Sequence, residues 1–128
     1  MTAPRLWQKA ALAAEIALAY AQVRRQVRRA GLPATLARIR AAAGRERPEP
    51  DERLARAVRR TLRVLPGDSR CLMQSLVLTA LLARRGRPAR LVIGVTAEGE
   101  FAAHAWVERG GVPLLPTNGA AFGRLAEL

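Results

Sequence analysis

The chain has 128 residues, half of them hydrophobic, and a net charge of +12 that comes from arginine and only one lysine. This composition suits one domain with a modest core, and the single cysteine, Cys71, excludes an internal disulfide framework and a cysteine-rich metal site. The charge suits nucleic acid, an acidic peptide or an anionic membrane surface, but only 4% of the residues are the aromatics that stack on bases.

The longest apolar run covers residues 10–20 and is interrupted by Glu15. It is well short of the ~20 residues that a membrane span needs. The residues before it lack the basic stretch, apolar run and cleavage site of a secretion signal. We therefore expect neither membrane insertion nor secretion, and a reducing cytoplasm is the expected compartment.

Residues 4–30 predict an amphipathic helix that ends at Gly31. Arginines fill the gaps between apolar side chains that recur at intervals of three and four. These apolar residues are Leu12, Ile16, Tyr20, Val23 and Val27.

A shorter helix is predicted over residues 33–43. The charged segment 44–50 contains two prolines and is expected to be a mobile linker. We therefore predict two parts of the chain. Residues 1–50 form a basic helical extension that packs on or docks beside the core, and residues 51–128 form that core.

Residues 51–64 begin with acidic side chains, which suit a helix N-terminus. The turn L-P-G-D-S follows, in which Asp68 or Ser69 can cap a helix over residues 70–85. Cys71 therefore lies in the first turn of the most apolar helix of the chain. The predicted packing residues of the two helices are Leu54, Val58, Leu62, Leu65, Leu72, Leu76, Leu81 and Leu82.

After Gly86, the predicted stop of that helix, short runs rich in β-branched residues predict strands over residues 89–96, 101–108 and 112–116. Two prolines make the third an edge strand. Two predictions remain for the closing segment, A-A-F-G-R-L-A-E-L: it forms either a short helix or a closing strand. The predicted fold class is α+β, with helices first and a small antiparallel sheet after them.

Cys71 and His104 are the candidate catalytic pair. Unpaired backbone N–H groups and the positive end of the helix dipole favour the thiolate of a cysteine in a first helical turn. A nucleophilic thiol also needs a base that moves its proton, and His104, the only histidine, lies in the second strand. The competing interpretation is a cysteine that only packs in the core.

Alternation along F-A-A-H-A-W-V-E places His104, Trp106 and Glu108 on one face of the second strand and the smaller residues on the other. The small face is expected to lie against the helix or sheet behind it, so that His104 faces a cleft. We expect Trp106 to form a wall beside the imidazole and Glu108 to be a solvated charge at the strand end.

The stretch from L-P-G-D-S-R-C-L-M-Q-S-L to L-V-I-G-V, with H-A-W-V-E after it, resembles the transglutaminase-like, papain-related cysteine peptidases of lasso-peptide biosynthesis. The resemblance covers roughly residues 51–116. It implies a leader peptidase in which Cys71 is the nucleophile and His104 the general base and acid. It further implies three partners, namely the precursor peptide, a discrete leader-recognition protein and an ATP-dependent lasso cyclase, with no cofactor in this chain.

The family's third triad member is an aspartate on the strand after H-A-W-V-E, and this sequence departs there. A three-residue R-G-G loop places Pro116 opposite His104, whereas a two-residue G-G turn places Thr117 there. We nominate the neighbouring Asn118, because an asparagine can hold a histidine tautomer. There are three alternatives for the group that orients His104. It is Glu127, or it is an acid from the amino-terminal half of the chain, or the histidine has no orienting partner.

The oxyanion hole of such an enzyme needs the backbone N–H of Cys71 and a second donor, near residues 66–70 or elsewhere. Two other functions remain open from the sequence. One is a basic module that binds nucleic acid or peptide and contains a structural cysteine. The other is acyl transfer on the same fold, because water and an amine compete for the same thioester.

Overall fold

The structure is a computed structural model that describes residues 6–42, 44–45, 49–64, 70–96, 102–115 and 123–127. The fold is α+β, as predicted, with three helices followed by four strands. The helices are α1 (Leu6–Ala41), α2 (Asp51–Leu62) and α3 (Arg70–Arg84), and the strands are β1 (Arg90–Thr96), β2 (Ala102–Arg109), β3 (Val112–Pro113) and β4 (Gly123–Glu127). Within the described ranges, none of the helices is long and apolar enough to cross a membrane.

Helix α1 is broken at Gly31, where the sequence predicts a helix end. Gly31 has φ +84° and ψ 174°, a left-handed conformation that a residue with a Cβ rarely adopts. The hydroxyl of Thr35 donates a 2.7 Å hydrogen bond to the Gly31 carbonyl. The break divides α1 into a first arm, residues 6–30, and a second arm, residues 32–41.

The three helices share their core with the sheet. The first arm packs on α3, and α2 packs on both. The predicted periodicity is confirmed in α1 and α2, whose buried residues lie on one stripe, whereas α3 is buried on every side from Ser75 to Ala83. Fully buried members of this core include Ile16, Ala19, Leu54, Val58, Leu81, Leu82, Val92 and Val107.

Arg85, just after α3, is the largest fully buried side chain among the described residues and is only 1% exposed. Its guanidinium donates to Glu15 of α1 at 2.9 Å and to Glu49 at 3.3 Å, and Nη1 also donates to the Leu81 carbonyl at 3.2 Å. Burial alone lowers the pKa of Arg85, but the hydrogen bonds and charges of Glu15 and Glu49 outweigh it, so the pKa is raised. Three distant parts of the chain therefore meet at one buried cation.

The segment 44–50, expected to be mobile, is held at both ends. The Gly44 N–H donates to the Ala83 carbonyl at 3.1 Å, and Glu49 binds Arg85. Asp51, at the start of α2, accepts hydrogen bonds from Arg87 at 2.6 Å and Arg109 at 2.5 Å. These contacts fix the start of α2 against the end of α3 and the end of β2.

The sheet is antiparallel with the strand order β3-β2-β1-β4. The closing segment therefore forms a strand, the second of the two alternatives that the sequence left open, and it pairs with β1. β3 is an edge strand, as its proline predicts. The β2–β3 turn has two residues, Gly110 and Gly111, because Arg109 pairs with Val112.

Candidate active site

Cys71 lies in the first turn of α3, where the sequence places it, and its side chain is half-buried. It packs against an apolar cluster that includes Met73, Leu76 and Ala105. The predicted caps Asp68 and Ser69 lie outside the described residues. Cys71 thus combines two features, a position beside the unpaired N–H groups of a helix start and an apolar support on one side.

Two buried hydroxyls follow Cys71 at successive turns of α3. Ser75 Oγ donates to the Cys71 carbonyl at 2.7 Å, and Thr79 Oγ1 donates to the Ser75 carbonyl at 2.7 Å. Such bonds satisfy hydroxyls in an apolar helix interior and fix the local backbone. Ser75 therefore holds the turn that carries Cys71. The signal was present in the sequence as C-x-x-x-S, since residues four apart share a helix face.

His104 lies near the start of β2 and is half-buried. Its partner across the β1–β2 ladder is Gly94, which has no side chain on the face that the two residues share. The imidazole therefore has space on the β1 side. Sequence reasoning did not single out Gly94, because its position opposite His104 depends on the strand register.

The rings of His104 and Trp106 are stacked, with centroids 5.9 Å apart and planes inclined at 26°. Trp106 is 4% exposed, so the predicted wall beside the imidazole is confirmed. The prediction for Glu108 is wrong. Its side chain is only 7% exposed and accepts a 2.8 Å hydrogen bond from Trp106 Nε1, because the buried indole N–H needs an acceptor.

The other face of β2 lies against α3. Ala105 belongs to the same cluster as Met73 and Leu76 of α3, and α3 packs mainly on β2 within the sheet. Ala105, one of the small residues of the strand, therefore packs with the helix, as expected. This packing brings the helix that begins beside Cys71 onto the strand that carries His104.

The structure does not describe the residues after β3 that the sequence analysis considered for the orientation of His104. The observed β2–β3 turn has two residues, and Glu108 pairs with Pro113, where β3 ends. Thr117 and the nominated Asn118 both lie outside the described residues, as does Pro116. The observed turn agrees with the alternative that favours Thr117 over Pro116.

The described acids occupy other places. Glu108 is four residues from His104, about 13 Å along the strand. Glu127 of β4 pairs with Val92 of β1. The β4 residue that pairs with Gly94, the partner of His104, is Arg124. The acids of the amino-terminal half bind arginines near the opposite end of α3, as described for Glu15, Glu49 and Asp51.

The sequence model of the Transglutaminase-like superfamily matches residues 10–127, which includes most of α1 and all of α2, α3 and the sheet. A comparison with curated proteins and a comparison with solved structures each give no significant match. The α+β fold, with Cys71 at the start of a helix that packs on the strand of His104, agrees with the family match. The chain therefore belongs to the transglutaminase-like superfamily.

Proposed function

We propose that this protein is a cysteine peptidase that removes the leader from a ribosomally made lasso-peptide precursor. The observation that carries the proposal is the position of Cys71 in the first turn of α3, on a helix packed against the strand of His104. Membership of the superfamily supports thiol chemistry on this fold. The narrower assignment to lasso-peptide maturation rests on the resemblance of C-L-x-x-S-L and H-A-W-V-E.

The reaction proceeds through a thioester. The Cys71 thiolate attacks the carbonyl carbon of the last leader residue, while backbone N–H groups at the start of α3 stabilise the developing oxyanion. The C–N bond then breaks, and His104 in its protonated form gives a proton to the departing amine of the core peptide. Water next attacks the thioester, His104 accepts its proton, and the leader acid and the Cys71 thiol are released.

The roles of the neighbouring residues follow from their contacts. Trp106 stacks on His104 and limits the orientations of its ring, and Glu108 holds Trp106. Ser75 holds the backbone at Cys71. We assign the orientation of the His104 tautomer to Asn118. None of these steps requires a cofactor.

The partners in this proposal are the precursor peptide, a separate leader-recognition protein that delivers it, and an ATP-dependent cyclase that closes the ring. The proposed compartment is the cytoplasm, where reducing conditions keep a catalytic thiol free. In this proposal residues 1–50 are the part that contacts a partner, and residues 51–128 hold the catalytic groups.

Mass spectrometry of a reconstituted reaction tests the proposal. Wild type, Cys71→Ala, His104→Ala and the surface control Arg59→Ala are each incubated with a precursor peptide and its recognition protein. We expect cleavage at one bond in wild type and control, and its loss in the other two. Full cleavage by Cys71→Ala would overturn the proposal. A leader joined to an added amine, in place of a free leader acid, would identify acyl transfer.

A further inference from the structure

A groove of about 520 Å³ lies between the two arms of α1 and the end of α3. Both arms and α3 contribute to its lining, which consists of Gln22, Val23, Arg25, Gln26, Arg29, Thr35, Arg38, Ile39, Ala80 and Arg84, together with Ala42 just after the second arm. The groove exists because Gly31 turns the second arm away from the first. Cys71 and Arg84 mark opposite ends of α3, about 20 Å apart at 1.5 Å per residue. The groove is therefore separate from the candidate active site.

Four arginines line this groove: Arg25, Arg29, Arg38 and Arg84. Arg25, Arg29 and Arg38 are exposed, and no carboxylate pairs with them within the described ranges. Arg84 lies 3.9 Å from Glu15, a carboxylate outside the groove lining. Like charges this close repel one another in the empty groove, so an anionic occupant is favoured.

Two of the arginines are held in place by glutamines. Arg38 donates to Gln26 at 3.1 Å across the two arms, and Arg84 donates to Gln22 at 2.8 Å between α3 and the first arm. A neutral amide acceptor positions a guanidinium without neutralising it, and the other N–H groups stay available. The groove is thus preorganised for carboxylates.

The groove also has an apolar floor. Val23, Ile39 and Ala80 are buried side chains in its lining. A ligand that presents only charge leaves this floor unused, whereas one with alternating acidic and apolar side chains contacts both floor and rim. No aromatic side chain lines the groove among the described residues, so it lacks the platforms on which nucleic-acid bases stack.

We propose that this groove binds an acidic, amphipathic segment of a partner protein, with its carboxylates on the four arginines and its apolar side chains on the floor. A partner bound here leaves the Cys71 end of α3 open. The inference does not rest on the proposed peptidase function, because it concerns binding at a separate place. Cys71→Ala should bind the segment as wild type does.

Fluorescence anisotropy with a labelled peptide of about 16 residues tests the inference, with leucine on one helical face and glutamate elsewhere. The variant R25E/R29E reverses two groove charges. Its matched control, R24E/R28E, makes the same change in net charge at exposed positions of the same arm, outside the groove lining. Urea unfolding of both variants checks that each is folded.

We expect the peptide to bind at low salt, about tenfold or more weakly to R25E/R29E, and within about twofold of wild type to R24E/R28E. An all-glutamate peptide should bind more weakly than the Glu/Leu peptide. Absence of peptide binding, or equal weakening in both variants, would overturn the inference. Tighter, groove-dependent binding of a single-stranded RNA of about 20 nucleotides would assign the groove to nucleic acid instead.

Discussion

The indole Nε1 of Trp106 donates a 2.8 Å hydrogen bond to Glu108, a carboxylate that lies inside the protein although it is near the end of its strand. Trp106 in turn stacks on His104. The carboxylate, the indole and the imidazole thus follow one another along one face of β2. Glu108, about 13 Å from His104 along the strand, is thus linked to it through the tryptophan.

Glu108→Leu should lower the free energy of unfolding by about 1 to 3 kcal/mol, because the buried indole loses this acceptor. Glu108→Gln retains an acceptor oxygen and should lose less than about 1 kcal/mol. Urea unfolding followed by tryptophan fluorescence measures both. A Glu108→Leu variant as stable as wild type would show that the bond contributes nothing.

Arg85→Met should lower the free energy of unfolding by about 2 to 3 kcal/mol, because Glu15 and Glu49 lose their shared cation. The predicted loss is smaller than the loss of stability on breaking a fully buried ion pair, because the carboxylates of Glu15 and Glu49 are partly exposed to water. The half-buried neighbour Arg84, 3.9 Å from Glu15, is the matched control, and Arg84→Met should cost less than about 1 kcal/mol. Equal losses in the two variants would contradict the account.

The raised pKa of Arg85 also fixes the pH dependence of its contribution. A raised pKa gives stability that is fully present below the unfolded-state value and is lost only as the pH rises through the folded-state value. Both values for an arginine lie far above neutrality. The loss caused by Arg85→Met should therefore stay constant between about pH 6 and 9, as measured by urea unfolding at each pH.

Gly44→Ala should destabilise the protein by about 1 to 3 kcal/mol, because a Cβ at residue 44 overlaps the carbonyl oxygen of Arg84. The backbone must move, which strains the hydrogen bond from Gly44 to Ala83. Gly31→Ala is the comparison, since its Cβ meets nothing within 4 Å and its cost of about 1 to 3 kcal/mol comes from backbone strain at φ +84° and ψ 174°, without overlap. Thermal unfolding measures both, and a neutral Gly44→Ala would show that segment 44–50 does not dock there.

Ser75→Ala should slow peptide cleavage by up to about tenfold, because it removes the hydrogen bond that holds the Cys71 carbonyl. Thr79→Val removes the equivalent bond one turn further from Cys71 and should change cleavage by less than about twofold. Both substitutions should cost similar stability. Equal cleavage rates in the two variants would show that Ser75 has only a structural role.

Local patterns predicted the helices well, and in α1 and α2 they also predicted the buried stripes. Periodicity located α1, α2 and α3, and glycines marked the break at Gly31 and the stop at Gly86. Gly86 donates to Ala83 and Arg87 donates to Leu82 at that stop. These features depend on residues within a few positions of one another, so the sequence alone is sufficient to predict them.

Features that depend on distant residues were not predictable in the same way. Arg85 was predicted only as the last residue of a helix, because its partner Glu15 lies 70 residues away. Glu108 has the sequence context of a solvated strand end, and only the burial of Trp106 brings it inside. The closing segment became a strand because β1 offered an unpaired edge. The predicted helix start and the predicted strand placed Cys71 and His104 correctly in the fold, whereas the nominated Asn118 lies outside the described residues.

The central claim is that His104 activates Cys71, and the alkylation rate of the single cysteine tests it most directly. Iodoacetamide is added at neutral pH to wild type, His104→Ala and the urea-unfolded chain, and intact mass is followed with time. The account predicts faster alkylation in folded wild type than in the unfolded chain, and a loss of about tenfold in His104→Ala. Equal rates in wild type and His104→Ala, no faster than in the unfolded chain, would contradict it.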